Sequence, residues 1–325
     1  MKAVVQDKYG SADVLELTEI DRPVPKPNEV LVRVKAAGVN MADWHLMAGK
    51  PTIMRLFGLG FRAPKQRIRG SDVAGVVEEV GSEVTQFAPG DEVFGSADAA
   101  FAEFAVTTEK RLLPKPANVP FEQAAAVRMV GDTALKALRA GVGGELEALA
   151  GQRILVIGAA GGVGSMTVQL AKHFGATVTG VCSTEKVDFV LSMGAEDVID
   201  YKKSRLLGTY EAIIDTAGGR TLDVLWKRLV PKGRLVIVGA EGGNAFLGLL
   251  GRSLRAAVLG PFVRSKTITL VAVETPDDLA IMRDLLASGA VTVPIERTFP
   301  LSGVADAIRH LEAGRAMGKV VVTVP

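Results

Sequence analysis

The feature that most constrains this chain is a strand–turn–helix–strand unit between residues 153 and 186. The apolar run Arg153–Ile157 leads into Gly158-Ala159-Ala160-Gly161-Gly162-Val163-Gly164, and a helical segment, Ser165–Phe174, follows. Thr177–Cys182 is a second apolar run and Lys186–Met193 a second helical one. A glycine pattern alone is weak evidence. A buried strand before it, an amphipathic helix after it and a second strand beyond make it a dinucleotide-binding unit. The glycines let the backbone turn sharply and approach a pyrophosphate. The helix start offers N–H donors and a partial positive charge. A plain tight strand–helix turn is the competing reading of the glycines taken by themselves.

The end of the second strand bears on which nucleotide binds. An NAD site places Asp or Glu there, about 20 residues on, to hold the ribose 2′-hydroxyl. This chain has Cys182-Ser183-Thr184-Glu185-Lys186. The Ser183 and Thr184 hydroxyls and the Lys186 ammonium suit a 2′-phosphate and predict NADPH. Glu185 is the discordant residue, expected to point to solvent at the helix start. Ser183 or Thr184 also reads as a helix N-cap.

At roughly 100–200 residues per domain, 325 residues predict two domains. Residues 1–124 are β-rich, with short apolar runs such as Ala3–Val5, Val30–Ala36 and Val73–Val80 split by turn signals, as in a small antiparallel barrel. Residues 49–70 interrupt it with a long loop, expected to be a lid or binding loop. Two helices are expected between 117 and 140. Val/Ile/Leu strands then alternate with helices as far as Thr267–Val273, which predicts a parallel sheet buried on both faces. The tail reads as helix Asp277–Ala287, strand Val291–Phe299, helix Val304–Glu312 and strand Val320–Val324.

The net charge of +2 is too near balance to imply nucleic-acid binding. One cysteine, Cys182, excludes an internal disulfide and a Cys-rich zinc site. The start lacks an apolar signal core, and no run of apolar residues is long enough to span a membrane, so a cytoplasmic protein is expected.

Beyond the glycine turn, several segments occur in a recognisable order. They are Ala36–Asp43, Gly70–Val77, Val84–Val93, Ala159–Lys172, Gly194–Tyr201 and Gly314–Val322. With them the chain resembles the medium-chain dehydrogenase/reductase superfamily, and most of all its zinc-free quinone oxidoreductase branch. The resemblance implies an α/β fold in which a Rossmann doubly wound parallel sheet, residues 125–274, is inserted into a GroES-like β-barrel catalytic domain formed by 1–124 and 275–325. Zinc-containing members carry Cys where this chain has Asn40, and Gly-His-Glu where it has Gly70-Ser71-Asp72. The resemblance also implies cofactor contacts. Ala160, Gly161, Gly162 and Val163 would hold the pyrophosphate. Ser183, Lys186, Tyr201 and Arg315 would surround the 2′-phosphate, and Thr133 and Gly239 would lie near the rest of the cofactor. Many relatives have Ser at position 160, so Ala160 leaves more of that binding to backbone donors.

Hydride transfer needs orientation and a donor near an oxygen that gains charge. Asn40 is the first candidate, donating to a carbonyl or to the nicotinamide amide, and a loop-capping amide is the alternative. Asp43 reads as a helix N-cap or a barrel-stabilising carboxylate. His45 is a candidate proton or hydrogen-bond donor, or a surface histidine. Trp44 would wall an aromatic pocket or fill the core. Arg128 would bind an anionic substrate or pair with Asp132. His173 and His310 read as structural, and Cys182 as a small buried residue. Residues 242–264 read as a flap near the cofactor cleft or as an interfacial amphipathic helix. Thr267–Val273 is the expected edge strand of a homodimer. The expected function is zinc-independent, NADPH-dependent reduction of a quinone or α,β-unsaturated carbonyl. A zinc-free alcohol dehydrogenase or ketone reductase and a non-catalytic NADPH-binding sensor are its rivals.

Overall fold

A computed structural model describes every residue except 53–54, 56–59, 239–255, 257–264 and 271–274. The chain opens with strands β1 (Lys2–Val5), β2 (Glu16–Glu19) and β3 (Glu29–Val39) and helix α1 (Met41–Ala48). Strands β4 (Asp72–Val80), β5 (Glu92–Ser96), β6 (Phe104–Thr108) and β7 (Leu112–Pro114) follow, then the long helix α2 (Phe121–Val142). The middle alternates β8 (Arg153–Ile157), α3 (Gly162–His173), β9 (Thr177–Cys182), α4 (Val187–Ser192), β10 (Asp197–Asp200), β11 (Tyr210–Asp215), α5 (Leu222–Trp226), β12 (Leu229–Ile237) and β13 (Lys266–Thr269). The tail adds α6 (Pro276–Ala287), β14 (Ile295–Pro300), α7 (Val304–Glu312) and β15 (Lys319–Thr323).

Two compact units result, Met1–Met129 with Thr275–Pro325, and Val130–Glu274. The change of unit falls inside α2. The sequence predicts two helices there, but α2 is one helix of 22 residues. Gly131 weakens a helix interior by about 1 kcal/mol and reads as a break. Burial of Val127, Val130, Ala134 and Leu135 around it outweighs that local preference.

In the first unit a sheet runs β14-β15-β3-β4-β5-β7, with β6 also on β3. Its pairings are antiparallel apart from β14 with β15. β3 lies inside the sheet, and its burial is nearly continuous, because neighbours cover both faces. Val30, Val32, Val34, Phe101, Val320 and Val322 form its core. The expected strand from Val291 starts only at Ile295. Pro294 has no N–H for a ladder, and its carbonyl accepts Lys319 N at 2.8 Å instead.

In the second unit six parallel strands run β10-β9-β8-β11-β12-β13. This is the doubly wound order, with its reversal between β8 and β11. Leu155, Ile157, Ile213, Leu235 and Ile237 fill one face. Strand ends next to such a reversal leave a crevice where ligands bind, and the glycine turn leaves β8 there.

Candidate active site

The glycine turn is built by close approach. Gly158 has φ +79°, and a Cβ on it would lie 2.5 Å from Thr216 Oγ1. Thr216 Oγ1 donates to Ile157 O at 2.8 Å, which ties the end of β11 to the end of β8. Asp215, fully buried, accepts from Gly218 N at 2.9 Å and closes the next loop. A Cβ on Gly164 would lie 2.1 Å from Gly158 O, so only glycine lets α3 start this close to the strand. Gly161 is the N-cap of α3, and Ala160 is buried beside it. The first N–H groups of a helix have no intrahelical acceptor. Here they follow a turn with almost no side chain, a backbone cradle that fits a pyrophosphate.

Next to that cradle lie the ends of β9 and β10, where Asp200 sits opposite Cys182. Ser183 is buried, and its carbonyl accepts Lys186 N at 3.0 Å in a short 3-10 turn, Thr184–Lys186, ahead of α4. Tyr201 is 52% exposed, with its backbone N–H on Cys182 O at 3.1 Å. Ser183, Lys186 and Tyr201 therefore share one rim. Glu185 stands on it too, but Lys202 Nζ donates to both its carboxylate oxygens, at 3.2 and 2.9 Å. Its own backbone N–H, Lys202 and the Ser183 hydroxyl hold its carboxyl down at about 2. Asp200 accepts from Thr184 Oγ1 at 2.6 Å and from Lys202 N at 2.9 Å. Burial first, and the Asp200 charge second, push the Cys182 thiol up to about 11.

The first unit holds a buried polar cluster around Asn40. Asn40 caps α1, and Asp43, three residues in, accepts the Asn40 backbone N–H at 2.8 Å and Gly70 N at 3.2 Å. The Asn40 side chain donates to Asp72 Oδ2 at 3.0 Å and to Gly38 O at 3.4 Å. Its Oδ1 accepts from Lys319 Nζ at 2.5 Å, and Lys319 also donates to Val39 O at 2.9 Å. Arg128 lies 3.3 Å from Asp72 Oδ1. The carboxylates of Asp43 and Asp72 thus share this site with the Lys319 ammonium and the Arg128 guanidinium, the buried Arg69 guanidinium also acts on Asp43, and Asp43, Asp72 and Lys319 are all buried. Burial pushes the Asp43 carboxyl up to about 6, and the Asp72 charge adds to this. The Asn40 N–H and Lys319 pull the other way. Burial likewise lowers the Lys319 pKa against the pull of Asp72 and Asp43. The capping expectation for Asn40 and Asp43 describes this geometry. A donor aimed at substrate does not, because the amide is engaged at both ends.

His45, half-buried on α1, lies 3.1 Å from Lys50 O through Nδ1. A carbonyl only accepts, so Nδ1 carries the proton and the neutral ring presents Nε2 as an acceptor. Burial lowers its pKa, against the pull of the Lys50 carbonyl, which raises it. This arrangement disfavours the proton-donor role. Trp44 packs on the first unit's core. Arg128 reaches Asp72, a partner the sequence does not suggest, and Asp132 bonds Lys136 one turn on. His310 bonds Glu296 at 2.9 Å. Thr133 is buried in α2, and Arg315 is exposed between α7 and β15. Gly239, the flap expected at 242–264 apart from Ala256, which is buried in the second unit's core, and the end of the strand expected at 267–273 lie outside the described residues. Lys319 and Lys202 were missed by sequence reasoning. A single charge at the head of the apolar run of β15 was the available signal for the first. Nothing local marks the second, whose partner is 17 residues away.

Two family models match: the alcohol dehydrogenase GroES-like domain over residues 26–117 and the zinc-binding dehydrogenase model over 193–322. A chloroplast envelope quinone oxidoreductase homolog of Arabidopsis thaliana is 33% identical, covering 99% of this chain and 98% of its own. An NADPH-dependent alkenal/one oxidoreductase of the same plant is 36% identical, covering 99% and 79%. Among solved structures, the quinone oxidoreductase of Coxiella burnetii superposes with a TM-score of 0.85 at 29% identity, covering 100% and 99% of the two chains. The Escherichia coli quinone oxidoreductase complexed with NADPH superposes at 0.83 and 25% identity, covering 99% and 100%. The fold and these matches define a nicotinamide-dependent oxidoreductase built from a GroES-like and a Rossmann domain. The chain belongs to the medium-chain dehydrogenase/reductase superfamily, in its zinc-free quinone oxidoreductase-like branch.

Proposed function

We propose that this enzyme uses NADPH to reduce a quinone or an α,β-unsaturated carbonyl without zinc. One observation carries the cofactor choice. The rim beside the glycine turn carries Lys186, Tyr201 and Ser183, whose hydroxyl also bonds Glu185, while its acids Glu185 and Asp200 are engaged by Lys202 and Thr184. A 2′-phosphate suits such a rim better than a bare ribose hydroxyl. Ala160, Gly161, Gly162 and Val163 form the pyrophosphate cradle, with Thr133, Gly239 and Arg315 as further proposed contacts. NADPH supplies a hydride when bound. The protein's part is orientation and a water-poor setting.

The reading without zinc rests on donor chemistry. Asn40 Oδ1 and Asp72 are occupied by the Lys319 ammonium and Arg128, so fixed cations already sit where a metal would need these atoms. No group of three or more His, Cys, Asp and Glu among the described residues has the arrangement of a metal site. Asn40 then acts by holding the start of α1. Solvent delivers the proton that follows the hydride, since neutral His45 offers only an acceptor. β13 is the last strand of the sheet among the described residues, a position that suits pairing with a second copy. Light scattering showing twice the chain mass supports that homodimer, and a monomer refutes it.

The purified enzyme with NADPH is to be tested on quinones, enones and simple ketones, before and after exhaustive chelation. Turnover of quinones or enones that survives chelation is the expected result. Turnover of ketones alone, or activity lost with chelator and restored by zinc, overturns the reading. Tight NADPH binding with no acceptor in the panel would favour a sensor.

A further inference from the structure

The acid on the cofactor rim is not left to act as an acid. An Asp or Glu at this strand end selects NADH in two ways. It accepts from the ribose 2′-hydroxyl, and it repels a 2′-phosphate. Glu185 lies only three residues beyond the last residue of β9, close enough to do both. Lys202 Nζ reaches both of its oxygens from the turn after β10, at 3.2 and 2.9 Å. The lysine is placed there by the strand pairing. Asp200 is opposite Cys182, so the residues after β10 emerge beside those after β9. Lys202 is then fixed by its own backbone N–H on Asp200 Oδ1 at 2.9 Å, and Asp200 is itself held by Thr184 Oγ1 at 2.6 Å. The lysine, the two acids and the threonine form one connected set across two strand ends.

We infer that Lys202 is a specificity-determining residue, a built-in counter-ion that cancels Glu185 and so keeps the rim selective for NADPH. This rests on the NADPH reading above. Stability does not explain the pair. Its side chains are 50% and 59% exposed, and ion pairs of that exposure contribute little to folding. Its effect lies in the charge and lone pairs presented to the ribose. With Lys202 in place, the in-plane oxygens of Glu185 point to an ammonium. Without it, a free carboxylate faces the same ribose as the Lys186 side chain. Lys202 acts through Glu185, so its contribution depends on whether that acid is present.

The test is cofactor binding by the full-length chain, read as dissociation constants for NADPH and NADH from the nicotinamide fluorescence change. The proteins are the wild type, K202M, E185Q and K202M/E185Q. Melting curves confirm that each variant folds, as expected for exposed positions. K202M should weaken NADPH by about tenfold, because the Glu185 carboxylate, released from the ammonium that holds both its oxygens, turns toward the 2′-phosphate, and one charge at roughly 6 Å from a dianion costs about that much in a water-like dielectric. NADH binding should stay level or tighten. In the E185Q background the same K202M change should cost NADPH no more than about threefold, a coupling that only an interacting pair shows. Equal losses for both cofactors overturn the inference. So does a K202M loss undiminished in the E185Q background, since Lys202 would then touch the phosphate without Glu185. A wild-type preference for NADPH that K202M leaves unchanged overturns this inference and spares the cofactor reading. A wild type that binds NADH as tightly as NADPH overturns the cofactor reading itself.

Discussion

Replacing Lys319 by Met removes one ammonium from the buried Asn40 cluster and keeps an apolar stem of similar length. The ammonium donates to Asn40 Oδ1 at 2.5 Å and to Val39 O at 2.9 Å. Its removal leaves two buried acceptors without that donor and takes one positive charge away from Asp43 and Asp72. Breaking one side of a buried ion pair costs about 3–5 kcal/mol, and unsatisfied acceptors at about 1–3 kcal/mol each account for much of that. The loss should depend on pH. The folded pKa of Asp43 is about 6, raised from 3.8, so its protonated form stabilises the fold fully below 3.8, and that stability is lost as pH rises through 6. Lys319 pulls that pKa down, so without it Asp43 stays protonated to higher pH. A proton on Asp43 removes the negative charge that the ammonium had offset. K319M should therefore be nearer to wild type at pH 5 than at pH 8. Urea unfolding followed by Trp44 in a W226F background reads the right unit, since Trp44 and Trp226 lie in different ones. K319M/D43N should recover at least half of the loss at pH 8. A loss under about 1 kcal/mol at pH 8, or one equal at both pH values, would refute the ion-cluster account.

G164A places a Cβ 2.1 Å from Gly158 O, so α3 must shift away from the turn; the dissociation constant for NADPH should rise on the order of tenfold or more, and an unchanged constant would mean the cradle is not the binding element. K186A should weaken NADPH about tenfold while moving NADH far less, and equal losses in a titration of both cofactors would mean the end of β9 does not face the 2′-position. The single cysteine has a thiol pushed up to about 11, so disulfide-exchange reagents at pH 8 should label the native protein slowly and the urea-unfolded chain with one equivalent; rapid native labelling would contradict its burial.

Much of the second unit was legible because its signals are local. The run RILVI, the seven-residue turn and the helix after it lie within one stretch of chain, and β8 and α3 appear there. Ser183 and Lys186, proposed contacts of the 2′-phosphate, lie within the same stretch, directly after β9. Element ends were less so. The single helix α2 and the late start of β14 followed from burial around Gly131 and from the missing N–H of Pro294, neither of which periodicity reports.

The sequence by itself determined the inserted Rossmann unit, the cradle and the absence of an acid at the last position of β9, because each is written within a few neighbouring residues. It also placed Asn40 where zinc-containing members of the family carry Cys, and Ser71-Asp72 where they carry His-Glu. Only the tertiary structure decided what those residues do. Lys319 arrives from 279 residues away to hold the Asn40 amide, and Lys202 arrives from 17 residues away to hold Glu185. Partners brought together by strand pairing leave no periodic trace in the chain. The charge balance of both sites was therefore invisible until the strands were in register.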